Sequence, residues 1–173
     1  MKGRKSLLVS RYKVSKKERR ELASRIALQV SEAAARLLEG DVEVARLRHQ
    51  KFGGLIILKG VPAFFFYGER IYPTLLLIYR LGVDPGLPKV HVDEGAVPHV
   101  LNGADVMVPG ITRVEGEVER GKEVLVVDPR GRVFAVGEAL MTGEEIKEAG
   151  KGKAVKNVHY AGDDLWEIIT KMF

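Results

Sequence analysis

A chain of 173 residues, 46% hydrophobic and 29% charged, has the make-up of a soluble globular protein of one ordinary domain or two small ones. It contains no cysteine, which excludes disulfides, thiolate zinc sites and cysteine nucleophiles together. No apolar run approaches the ~20 residues of a membrane helix, and the LLV of the N-terminal segment is too short for a secretory signal, so a cytoplasmic protein without membrane contact is expected. The net charge of +5 is unevenly spread: residues 1–20 carry nine Lys/Arg against one acid, the remainder nineteen against twenty-two. A concentrated basic end points to a polyanion, most simply nucleic-acid phosphates; a solvated terminus is the competing reading.

Ser15 and Glu18 have capping-box spacing, and Leu22, Ile26, Val30, Ala33 and Leu37 follow at helical steps. The pattern predicts a helix over 16–39, with Gly40 as its stop and room for one break. The period then shortens, predicting strands near 42–48, 54–59 and 62–67 with turns at 51–54 and 60–62. In YPTLLLIYRLG, Pro73 suits a first helical turn and Gly82 a stop. Residues 1–85 thus read as a small α+β domain.

GVDPGLP at 82–88 is the linker, with two prolines and two glycines. Beyond it, residues 88–173 form a second domain in which strands dominate. KVHV precedes a short helix over 94–101 capped by Asp93, and Pro98 inside it implies a late start or a kink. ADVMV, EVLVVD, RVFAVGEAL and KAVKNVHYAG read as extended, PRG at 129–131 as a hairpin turn, and Thr142 to Glu145 as a capping box. Many short strands of this kind favour a compact barrel.

VDEGAVPHVLNGADVMVPGI (92–111), EVLVVDPRGRVFAVGEALMTGEEI (123–146) and GKAVKNVHYAGDDLW (152–166) together resemble a PUA domain, an RNA-binding module. With YPTLLLIYRLGVDPGLPKVHVD before them, they make the chain similar to the archaeal relatives of the malignant-T-cell-amplified-sequence family of translation factors. The resemblance implies an α+β N-terminal domain followed by a mostly-β PUA pseudo-barrel with short helices. It also implies an RNA surface on Gly103, Ala104, Asp105, Met107, Pro109 and Gly110 and on the last strand, at Lys153, Asn157 and His159. Lys156 differs in parity from these and joins them only through a bulge. Gly103 and Gly110 are expected to allow positive φ and close approach of a partner.

The basic residues Arg4, Lys5, Arg11 and Lys13 would add sequence-indifferent attraction to phosphates. Tyr160 is read first as a cap of the barrel and second as a stacking platform. Asp163 and Asp164 are read as helix caps. No catalytic constellation, metal-ligand spacing or cofactor loop is present, so neither metal nor cofactor is expected. The leading reading is a monomeric, non-enzymatic RNA-binding protein of translation. Its partners would be rRNA or tRNA, with the small ribosomal subunit and a second translation factor implied by the family. A targeting subunit or enzyme of RNA modification, and a protein adaptor docking through AFFFYG, stay as alternatives.

Overall fold

The computed structural model describes residues 7–173, in two compact units that divide between Pro85 and Gly86. Arg4 and Lys5 lie outside the described residues.

In the first unit, β1 (Leu8–Lys13), β2 (Val42–Leu47), β3 (Phe52–Leu58), β4 (Val61–Tyr67) and β5 (Arg70–Pro73) form an antiparallel meander in sequence order. The β3–β4 connection is a two-residue turn in which Lys59 (φ 51°) and Gly60 (φ 78°) are both left-handed, the geometry that matches strand twist. Helix α1 (Lys16–Gln29) presses Leu22 and Ile26 onto Val44, Ile56 and Phe64. Ala63, Phe64 and Phe65 are fully buried, so the centre of AFFFYG is core, while Phe66 and Tyr67 at its end are only half-buried.

Several boundaries differ from expectation for physical reasons. The helix expected over 16–39 ends at Gln29 and restarts as α2 (Glu32–Ala35), because the Ser31 hydroxyl accepts the Ala34 N–H. The restart shifts the apolar phase by one residue, so Ala34 and Leu38 are buried in place of Ala33 and Leu37. At Ser15 only half a capping box forms. Its hydroxyl accepts the Glu18 N–H at 3.1 Å, while the Glu18 carboxylate takes the Tyr12 hydroxyl at 2.8 Å. Pro73 closes β5 rather than opening a helix; Thr74 caps α3 (Leu75–Tyr79), and its Oγ1 also donates to the Pro62 carbonyl at 2.6 Å. Within the basic N-terminal segment, Leu8–Lys13 form β1, with Arg11 in a two-point ion pair with Glu43 and Lys13 paired with Asp41.

In the second unit, six strands take the order β7-β11-β10-β9-β6-β8: β6 (Lys89–Val92), β7 (Val106–Met107), β8 (Ile111–Glu115), β9 (Glu123–Val127), β10 (Val133–Ala139) and β11 (Lys153–Tyr160). All pairs are antiparallel except β6 with β9. Register shifts in β6, β10 and β11 bend the sheet around Val90, Val124, Val126, Phe134 and Val155. ADVMV was expected as one strand, but β7 keeps only two residues before a 3₁₀ turn at Val108–Gly110. β8 follows where no strand was anticipated. Thr142 and Glu145 form the full capping box of α5 (Gly143–Glu148). At the hairpin before β10, the Asp128 carboxylate accepts N–H groups of Arg130 and Arg132 at 2.8 and 2.9 Å. Burial there opposes the charged form, yet these bonds and the Arg132 side chain hold the Asp128 pKa below the usual carboxylate range.

Candidate nucleic-acid interface

The residues that shape the interface start at Asp93. Its Oδ1 accepts the Ala96 N–H at 2.9 Å, and its own N–H donates to the Gly110 carbonyl at 2.9 Å. This turn delays helix α4 to Val97–Val100, so Pro98 falls in the first turn, where no N–H is required of it. The chain leaves α4 through Gly103 at φ 93°, with the Gly103 N–H on the Val100 carbonyl and the Ala104 N–H on that of His99. A side chain on Gly103 would start 3.3 Å from the Tyr160 hydroxyl. Tyr160 is thus a half-buried lid on this turn, and burial, followed by the charges of Asp163 and Asp164, raises its pKa.

Between α4 and β7 lies an open groove of about 510 Å³. Ala104, Asp105, Met107, Pro109 and Gly110, all expected from sequence, line it. So do Asp93, Ala96, His99 and Val100, which were not expected. The i, i+3, i+4 spacing of Ala96, His99 and Val100 carries the signal that one helix face turns toward β7. Met107 is 45% exposed, while its neighbours Val106 and Val108 are buried in the core. The groove combines apolar walls with carboxylate and imidazole at its rim, a surface that accepts a flat, partly polar group better than a bare phosphate.

The last strand contributes mainly by support. In β11, Ala154 and Val155 are both buried, and the register against β7 shifts between Lys153 and Val155. This bulge brings Lys153 and Lys156 out on the exposed side together, removing the parity objection to Lys156. Lys153 Nζ lies 3.5 Å from Asp105 Oδ2 at the groove rim, and Lys156 stands opposite Glu138 in the β10–β11 register.

Two expectations need correction. Asn157 was expected to offer hydrogen bonds to RNA. Instead its Nδ2 donates to the Val100 and Ala104 carbonyls at 3.0 Å each, and its backbone N–H donates to Asp105 Oδ1 at 2.9 Å. It braces two groove-lining residues, Val100 and Ala104, from behind. His159 was expected at the surface but is fully buried, with Nδ1 3.0 Å from Asp163 Oδ2. A second register shift, between Val136 and Gly137 on the facing strand, turns it inward. Asp163 also accepts the Trp166 N–H and so caps helix α6 (Asp164–Met172), as expected.

Gly110 also departs from expectation. It does not have positive φ; it is glycine because a Cβ would sit 2.9 Å from Ala96 Cβ. Gly110→Ala must therefore displace the Asp93 turn, and it cannot separate folding from binding.

The curved sheet and the helix-to-strand groove of the second unit define a PUA-domain protein. The PUA domain model matches residues 88–161, and a domain of unknown function, DUF1947, matches 10–81. The protein MJ1432 of Methanocaldococcus jannaschii is 37% identical over 90% of this chain and 94% of its own length. Translation machinery-associated protein 20 of Saccharomyces cerevisiae is 28% identical over 91% of each chain. The crystal structure of PH0734.1 from Pyrococcus horikoshii superimposes with a TM-score of 0.79, at 37% identity over 92% of this chain and 99% of that one. The chain belongs to the PUA-domain family that contains these proteins and the malignant T-cell-amplified sequence proteins of vertebrates.

Proposed function

We propose that the protein is a non-catalytic RNA-binding factor of the translation machinery, acting in the cytoplasm. The observation that carries this reading is the α4–β7 groove, exposed at Met107 and Pro109 and set in a PUA unit. The full-length relationship to translation machinery-associated protein 20 directs it to translation. Among the described residues no helix is long and apolar enough to cross a membrane. In this reading Ala104, Asp105, Met107, Pro109 and Gly110 meet rRNA or tRNA, with Lys153 and Lys156 on adjacent phosphates. Gly103, Asn157 and His159 shape the surface from behind. Arg4, Lys5, Arg11 and Lys13 strengthen attraction to any RNA, though the ion pairs of Arg11 and Lys13 offset part of theirs.

Met107→Glu places a carboxylate on the exposed wall without touching the core. It is expected to leave melting unchanged and to weaken binding of tRNA or a small-subunit rRNA fragment about tenfold, as loss of one good base contact would. A folded variant that binds both RNAs like wild type would remove this face from the interface.

The two domains, 1–85 and 88–173, are proposed to fold independently. Residues 86–173 expressed alone should give a cooperative thermal transition and dispersed NMR amide signals. An aggregated product would show that the halves need one another.

A further inference from the structure

The positive charge sits in the half of the chain that the PUA model does not cover. Residues 1–85 hold seventeen Lys/Arg against eight Asp/Glu, a net +9, whereas residues 86–173 hold eleven against fifteen, a net −4. A polyanion is drawn to the N-terminal half.

That half has a groove of its own, about 810 Å³ and open to solvent. Val44, Ile56 and Phe64 lie side by side on the face covered by α1. The next row on that face, two residues along each strand, is Arg46, Gly54 and Phe66. Gly54 has no side chain, so the row is a guanidinium and an aromatic ring separated by bare backbone. Alanine cannot fill the gap without moving a strand, because its Cβ would lie 2.6 Å from the Ala45 carbonyl oxygen. Helix α1 supplies the opposite wall. Arg25 stands over the Phe66 ring, 5.7 Å from its centroid, and is held there by a 2.9 Å bond from Nη2 to the Glu69 carbonyl. Two acids, Glu18 and Glu69, line the same groove, and the Glu18 carboxylate takes the Tyr12 hydroxyl.

We propose that this groove holds an unpaired nucleotide of a single-stranded RNA segment. The base lies against Phe66 and the Arg25 guanidinium, and the neighbouring phosphate meets Arg46. An acidic peptide would use the arginines but leave the aromatic face and the glycine floor without a role. The inference rests on the RNA-binding reading above, and it adds a second contact in a unit for which that reading names only sequence-indifferent charge.

The test uses the full chain and a short fluorescein-labelled oligouridine, followed by anisotropy over a range of salt concentrations. Arg46→Ala should weaken binding and reduce the slope of log K against log salt by about 0.7, the value for one phosphate contact on a single strand. Phe66→Leu should weaken binding about tenfold and leave the slope unchanged, because stacking releases no counterions. Since Phe66 is half-buried, a wild-type crosslink to 4-thiouridine RNA, mapped by mass spectrometry, guards against a folding defect. It should fall on the peptide containing Phe66.

If wild type binds no RNA, the functional reading falls and this one with it. If wild type binds but both variants match it, or crosslinks map only to residues 93–110, the second contact alone is overturned. Oligoglutamate that binds as tightly as the oligouridine, and loses the same affinity in Phe66→Leu, would assign the groove to a protein partner instead.

Discussion

Gly137→Ala is expected to be among the most damaging single-methyl changes in the protein. The new Cβ would sit 2.3 Å from the Lys156 carbonyl oxygen and 2.6 Å from Val155 Cγ1. Neither neighbour is a free side-chain end: one is strand backbone and the other is packed in the core. The backbone at Gly137 is not left-handed, so the penalty is wholly steric. Strand β11 must move away from β10, and it carries Lys153, Asn157 and the buried His159–Asp163 pair with it. Overpacking of this severity costs about 3 kcal/mol, which for a chain of this size lowers Tm by roughly 6–12 °C. Gly131→Ala is the matched control. Its φ of 81° is left-handed, but its Cβ would meet nothing within 4 Å, so a loss of about 1 kcal/mol is expected. Thermal melts of the two variants decide the matter. A Gly137→Ala protein that melts with or above Gly131→Ala would mean that β11 yields freely at this bulge.

What could be read from the sequence followed the distance between partners. Ser15, Ser31 and Thr142 bond N–H groups three residues ahead, and the first and last of these caps were legible from local spacing. The positive φ of Gly103 was legible because turn chemistry is local too, whereas Gly110 is set by Ala96, fourteen residues earlier, and was not. β1 was not. Its basic residues read as a tail because the acids that pair with them, Asp41 and Glu43, lie about thirty residues on. The two bulges of β11 were equally hidden, since a bulge is set by the strand opposite. They reversed two assignments at once, bringing Lys156 out to the side of Lys153 and turning His159 inward. Nothing in the sequence singled out Gly54 and Gly137, and only the packed backbone beside each shows why no larger residue fits.

Asn157 makes the same point with a testable consequence. Its amide reaches the Val100 and Ala104 carbonyls, more than fifty residues earlier, and ties the end of α4 to the turn after Gly103. Asn157→Ala removes both bonds, although the Val100 carbonyl keeps the Gly103 N–H and the Ala104 carbonyl lies on the exposed side. At about 1 kcal/mol net for each hydrogen bond lost, the expected loss is roughly 1–2 kcal/mol. Asn157→Asp keeps the shape but replaces the donating nitrogen with an oxygen, so at neutral pH a carboxylate faces two carbonyl oxygens. It should destabilise the protein at least as much as alanine. Protonation supplies one donor, so the aspartate variant should recover part of the difference as pH falls toward the ordinary carboxylate range near 4. The alanine variant has no such group and should show no matching recovery relative to wild type. Melting both variants from neutral to mildly acidic pH separates a structural tie from an RNA ligand. If Asn157→Ala melts with wild type and loses only RNA affinity, the side chain reads RNA directly and the bracing role assigned to it is wrong. If stability falls first and binding follows the folded fraction, the groove depends on a bond that RNA never touches.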